Sequence, residues 1–354
     1  MKTTQSILPL WLSLLLSVAF VGSGTAVFAF AYLTAQAVWD RPLNPLELAA
    51  AQVSDVNLEL DQIAPPEVFL MEGGDGQPTP TLIPTSEFKT DRINILMMGI
   101  DRRPGEAFIS RTDSMMILSI DTRNETISIL SLPRDLYVII PGRGRDRINT
   151  AFVYGSTGNN PAGGAALAMS TVEYNLGVHI DHYILVDFAA VINGINALGG
   201  IDIYVPVTIN DTMFPDMNYG YDPFYIAAGQ QHIDGVTALK YARTRYQDSD
   251  FDRAGRQQQI VLAARRKALS LGVSEMVRRA PTLYREVEQG MRTDLSLEEL
   301  VSLARIAGDI SSESIQNEVL DRRYVSGHRT EQGASVQVMD NEATAELIRR
   351  LFYD

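Results

Sequence analysis

Ile93–Leu132 reads INILMMGIDRRPGEAFISRTDSMMILSIDTRNETISILSL, and three apolar runs inside it decide the fold. INILMMGI (Ile93–Ile100), SMMILSI (Ser114–Ile120) and TISILSL (Thr126–Leu132) have the length of strands, and their near-continuous apolar character suits strands covered on both faces. DTRNE, between the last two, is a hairpin-like connection. Helical and strand patterns alternate downstream. PAGGAALAMSTVEYNL predicts a helix that stops at Gly177, and HYILVDF a strand. FAAVINGINAL predicts a helix that stops at Gly199–Gly200, and IDIYVPV a further strand. This alternation specifies an α/β domain, and the hairpin makes its central sheet mixed rather than purely parallel.

Working outward, a long helix is expected from Asp252 through RAGRQQQIVLAARRKAL, and Ser296 caps a helix over TDLSLEELVSLARIAG with Glu299 three residues on. NEATAELIRRLFYD predicts a terminal amphipathic helix that covers the core. Upstream, Thr3 to Trp39 carries no charged residue and includes ILPLWLSLLLSVAFVGSGTAVFAFAYL. That run exceeds the roughly 20 apolar residues that span a bilayer, whereas the apolar region of a cleaved signal peptide is about 7–15 residues. One transmembrane helix within residues 1–40 is therefore expected, with Lys2 and the amino terminus inside and the rest of the chain extracytoplasmic. Residues 41–90 lose periodicity, gain proline and end in EGGDGQPTPTLIPTSEF, the composition of a tether; residues 91–354 form the folded domain.

Composition narrows the chemistry. At 354 residues, 45% hydrophobic and 21% charged, the chain encodes a globular body. A net charge of -13 argues against a broad nucleic-acid surface, so any anion site must be local. There is no cysteine, which removes disulfides, thiolate catalysis and zinc clusters together.

Against that acidic background, RTRYQDSDFDRAGRQQQ (Arg243–Gln259) concentrates four arginines and three aspartates. Arg243 and Arg245 are two apart and leave one face of an extended chain, while Arg253, Arg256 and Gln257 gather at the head of the expected helix. Guanidinium forks beside a helix N-terminus form a cradle for phosphate or pyrophosphate. An ion-pair network with Asp248, Asp250 and Asp252 on a solvated loop fits the same residues. A second group lies at strand ends: Asp101 in GIDRR, and Arg111 and Asp113 in SRTDS. Two carboxylates without Cys or His suit magnesium, which keeps several waters and bridges to phosphates; aspartates at such positions also serve as plain turn formers. LPRD adds Arg134 and Asp135, and RINTAF adds Arg147 and Asn149. His179 and His182 bracket a strand start and read as ordinary loop or core residues.

Taken in order, GID at Asp101, RTDS at Arg111–Ser114, SLPRD at Ser131–Asp135, RIN at Arg147–Asn149, LGGIDIYV at Leu198–Val205 and YARTR…DSDFDRAGRQ at Tyr241–Gln257 resemble the motifs of the LytR–CpsA–Psr family, most strongly over 93–268. The resemblance implies a three-layer α-β-α domain. It also implies a magnesium-dependent transferase that moves a glycopolymer from a polyprenyl-pyrophosphate carrier to a cell-wall acceptor hydroxyl. In that picture Asp101 and Asp113 hold the metal, and Arg111, Arg134, Arg243, Arg245, Arg253, Arg256 and Gln257 contact the pyrophosphate. Apolar sheet and helix faces enclose the lipid. Arg111, Arg134, Arg253 and Asp250 are the expected catalytic group, with Asp250 or Asp135 receiving the acceptor proton. A non-catalytic sensor of polyprenyl phosphate and a pyrophosphatase using water remain alternatives. Asp252 departs from the family pattern, which has glycine there; it either tolerates that backbone angle or caps the helix carrying Arg253.

Overall fold

The computed structural model describes residues 91–102, 106–216, 220–245 and 249–353. The expected transmembrane helix, the Pro-rich tether and Asp248 lie outside them. No helix among the described residues is long and apolar enough to cross a membrane.

The three apolar runs form β1 (Arg92–Ile100), β2 (Thr112–Asp121) and β3 (Thr126–Leu132), paired antiparallel through the expected hairpin. β6 (His182–Asp187) lies parallel to β1, and β12 (Ile315–Val319) parallel to β3. β11 (Met291–Thr293) closes the other edge, giving a mixed six-stranded sheet of order β11-β6-β1-β2-β3-β12.

Strand alternation sends two sets of side chains to two cores. Leu96, Met98, Met115, Ile117 and Leu130 face α1 (Ala151–Gly155), α2 (Pro161–Leu176) and the terminal helix α8 (Asn341–Phe352). Ile95, Met116, Ile120, Ile127 and Ile129 face α5 (Asp250–Leu271) and α7 (Leu297–Asp309). The result is the three-layer arrangement the sequence implied. Gly177 ends α2 at φ 69°, a left-handed angle that glycine takes without penalty, and Ser296 caps α7 in a box with Glu299.

A smaller third core stands beside the sheet. It joins α3 (Phe188–Ala197), the hairpin of β7 (Ile201–Val205) with β10 (Gly229–Ile233), and α4 (Gly235–Arg243) to the inner face of α5. Between this unit and the sheet runs the cavity described next.

Candidate active site

β1 and β2 slip register at their ends: Gly99 faces Ser114 and Ile100 faces Thr112, which leaves Asp113 as the extra residue of a bulge. Bulges re-aim side chains, and here Asp113 turns toward the same space as Asp101, one residue beyond β1. Gly99 sits against Ser114 here, and a Cβ there would meet Ser114 Oγ at 2.4 Å unless that hydroxyl turned away.

Both carboxylates line a cavity of about 670 Å³. Its apolar lining comes from Met97, Met116, Ile184 and Val186 of the sheet and Leu239 and Ile260 of the helices. Its polar lining includes Asp101, Asp113, Arg243, Arg245, Arg253 and Gln257.

The charged groups interlock. Arg134 Nη1 donates to Asp113 Oδ1 at 2.8 Å, while its Nε faces Asp250 Oδ2 at 3.3 Å and Asp135 Oδ2 at 3.7 Å. Asp250 also meets Arg245 Nε at 3.4 Å and Arg253 Nη2 at 3.5 Å. Arg253 Nη2 donates in addition to the Asp113 carbonyl at 3.3 Å. Arg243 Nη2 lies 3.5 Å from Asp101 Oδ2. Burial favours the uncharged guanidine of Arg253 and outweighs the pull of Asp250, bringing its pKa down to about 10. For Arg134 burial acts the same way, but the Asp113 hydrogen bond and the Asp250 charge prevail and its pKa is raised. The result is a guanidinium cluster held in place by carboxylates, with its open side on the cavity.

The structure corrects four details of the sequence reading. Arg243 is the last residue of α4 rather than part of an extended segment, and Thr244, extended at φ -56° and ψ 143°, links it to Arg245. Arg256 does not line the cavity: it is buried, and its guanidinium donates to the Tyr241 carbonyl at 2.9 Å and to the Thr244 carbonyl. It fixes the chain from Tyr241 to Thr244 that carries Arg243 and leads to Arg245. α5 begins at Asp250 with Ser249 as its N-cap, and Asp252 completes the capping box by accepting from Ser249 N at 2.9 Å. Arg111 is exposed, outside the cavity lining, within electrostatic reach of Asp146 and Tyr154.

Sequence reasoning passed over the supports of the site. Arg243 stacks over Phe188 at 4.3 Å and Phe214 at 5.5 Å, a platform assembled from residues far apart in the chain. Arg102 pairs with the buried Asp187 at 2.7 Å, and Phe108 sits between Arg102 and Arg292, each 3.9 Å from its ring. These contacts pin both ends of the loop that follows Asp101.

Asp101 and Asp113 offer hard oxygen donors beside the guanidiniums of the cavity, which is the donor chemistry of Mg²⁺. Among the described residues no group of three or more carboxylates or histidines is placed to hold a metal unaided, so the remaining ligands would be water and phosphate oxygens. The residues fit that ion.

An apolar cavity ending in paired carboxylates and arginines, on a mixed α-β-α sandwich, defines an envelope of the LytR–CpsA–Psr kind. The chain belongs to the LytR_cpsA_psr family, whose model matches residues 74–352. It is 36% identical over 216 residues to the polyisoprenyl-teichoic acid–peptidoglycan teichoic acid transferase TagU of Oceanobacillus iheyensis, a match covering 60% of this chain and 62% of that protein. It is 30% identical to TagV of Bacillus subtilis, of the same description, over 65% of this chain and 56% of that protein. These alignments span 62% and 56% of the relatives' own length. Among solved structures, B. subtilis TagV superposes with a TM-score of 0.59 at 26% identity, covering 75% of this chain and 98% of that one. TagT bound to LI-WTA superposes with a TM-score of 0.58 at 25% identity, covering 74% and 89%.

Proposed function

We propose that this protein is a membrane-anchored, magnesium-dependent phosphotransferase that moves a glycopolymer from a polyprenyl-pyrophosphate carrier to a hydroxyl of the cell wall, forming a phosphodiester. The observation that carries this reading is one cavity whose lining joins apolar side chains of the sheet and helices to Arg243, Arg245 and Arg253. A molecule complementary to it has a long hydrocarbon tail and a polyanionic head. The relatives' description as transferases of polyisoprenyl-linked teichoic acid to peptidoglycan supports the same class of donor and acceptor.

Phosphoryl transfer demands positioning and stabilisation of charge on the transferring group and the leaving oxygen. Arg243, Arg245 and Arg253 grip the pyrophosphate, and Arg134 holds Asp113 and Asp250 at its edge. Asp101 and Asp113 would hold Mg²⁺, whose positive charge offsets that of the phosphate oxygens. Asp250 and Asp135 stand where an incoming hydroxyl can surrender its proton. The lipid remains in the apolar cavity as polyprenyl phosphate.

Chain-length dependence of binding tests the amphiphilic fit. Each CH₂ buried contributes about 0.8 kcal/mol, so shortening a polyprenyl pyrophosphate within the enclosed length should weaken its Kd more than tenfold per isoprene unit. Inorganic pyrophosphate that binds as tightly as the lipid form would refute the reading.

A further inference from the structure

Asp211 is a buried carboxylate, 8% exposed, on the wall of the same cavity, and it takes no part in the transfer described above. A negative charge there opposes an anionic ligand. Among the described residues its partners are a hydroxyl and a backbone amide rather than a cation: Thr244 Oγ1 donates to Oδ2 at 2.7 Å, and Met213 N donates to Oδ1 at 3.2 Å. We infer that Asp211 and Thr244 are a positioning pair that aims Arg243 and Arg245 at the pyrophosphate. The inference rests on the phosphotransferase reading above and adds to it two residues that touch no reacting atom.

Thr244 stands between the two arginines and is buried. Each of its polar groups is engaged. Its N–H donates to the Lys240 carbonyl at 2.9 Å, its carbonyl accepts from Arg256 Nη2, and its hydroxyl donates to Asp211. The first two bonds use the main chain and are open to any residue except proline. The third needs a hydroxyl, and it joins the arginine segment to β8 (Ile209–Asp211).

The same stretch reaches Arg243 a second time. The Met213 bond closes an Asx turn over Asp211, and Phe214 follows with its ring centroid 5.5 Å from the Arg243 guanidinium and 5.8 Å from the Lys240 ammonium. Residues 211–214 therefore brace the arginine pair twice, with a ring against Arg243 and a carboxylate on the residue that leads to Arg245. Arg245 is about half exposed, so the backbone that carries it decides where its guanidinium points. A guanidinium aligned in advance loses less freedom when the ligand arrives.

The sign of one substitution separates positioning from plain charge. Asp211→Asn removes a negative charge, which by itself tightens anion binding; it also leaves one acceptor oxygen where two are used, which loosens the brace. Thr244→Val removes the hydroxyl at nearly constant shape, and Thr244→Ser keeps it. Full-length protein in detergent micelles would be titrated with geranylgeranyl pyrophosphate and with geranylgeraniol, which has the same tail and no charge. Asp211→Asn and Thr244→Val should each raise Kd for the pyrophosphate about tenfold, the worth of one charged hydrogen bond lost, while Thr244→Ser stays within about twofold. Kd for the alcohol should hold within about twofold throughout. In an Arg243→Ala/Arg245→Ala background both substitutions should add less than about twofold, since their effect passes through those side chains. Tighter pyrophosphate binding by Asp211→Asn, an undiminished effect in that background, or equal losses for pyrophosphate and alcohol would each overturn the assignment, and the Asp211→Asn result decides alone if Thr244→Val fails to fold. Wild-type protein that binds pyrophosphate no better than alcohol would overturn the pair and the phosphotransferase reading together. The expected pattern in a protein that releases no polyprenyl phosphate would keep the pair and sink the transferase reading.

Discussion

Asp250 joins three guanidiniums of the cluster, lying within 3.5 Å of Arg134, Arg245 and Arg253. Removing a carboxylate that aligns several guanidiniums disturbs them all. Asp250→Ala should lower kcat by roughly 10²–10³, the range set by deleting one preorganised electrostatic partner, with a smaller effect on lipid Kd. Arg253 carries its own pH signature. Its guanidinium is fully charged below its pKa of about 10 and loses charge as pH rises through that value. Pyrophosphate affinity should therefore decline through pH 10, and Arg253→Ala should abolish that alkaline limb while weakening binding at neutral pH; a limb that persists in the variant contradicts the assignment. The residue types of this cluster were legible in the sequence, since Asp101, Asp113, Arg243, Arg253 and Gln257 all reach the cavity. Arg256 was not, because helical spacing places it beside Arg253 but does not say which side is buried. The Phe188 and Phe214 platform had no local signal at all.

Among the elements, α5 couples stability to the site, for its first turn carries Asp250 and Arg253. Ser249 donates to Asp252 Oδ2 at 2.6 Å and accepts from Asp252 N, closing the box. Ser249→Ala should cost about 1 kcal/mol in chemical denaturation and reduce activity further than the loss of stability explains. Hydrogen bonds from Ser249 hold the Asp252 carboxyl below its ordinary value, so its contribution is present above the usual carboxylate range and fades as pH falls through the depressed value. Asp252→Asn should accordingly flatten part of the acid limb of stability. Helix ends and strands marked by glycine, Ser-x-x-Glu or long apolar runs were readable in advance. The short strands β8 (Ile209–Asp211) and β9 (Phe224–Ile226), and the hairpin of β13 (Val325–Arg329) with β14 (Ser335–Met339), were not. They are three to five residues long with mixed polarity, and only their partners across the fold make them strands.

At the scale of the whole molecule, the described domain is held by three cores. The C-terminal helix belongs to the first: Leu347, Leu351 and Phe352 are buried, and the Leu351 carbonyl accepts from Arg92 Nη1 at 2.9 Å. Leu351→Ala should cost about 2–5 kcal/mol by leaving a cavity beneath the sheet, read as a lower denaturation midpoint with the lipid Kd unchanged in the folded protein. The second and third cores enclose the lipid-sized space, and the central claim is that this space and its charged mouth act on one molecule. The direct measurement is release of polyprenyl phosphate from a polyprenyl-pyrophosphate oligosaccharide by the full-length protein, with Mg²⁺ and with a chelator. The account predicts Mg²⁺-dependent release that is lost in Asp101→Ala, Asp113→Ala and Arg253→Ala. Release that survives chelation and all three substitutions, or tight lipid binding with no release in any acceptor, would contradict it.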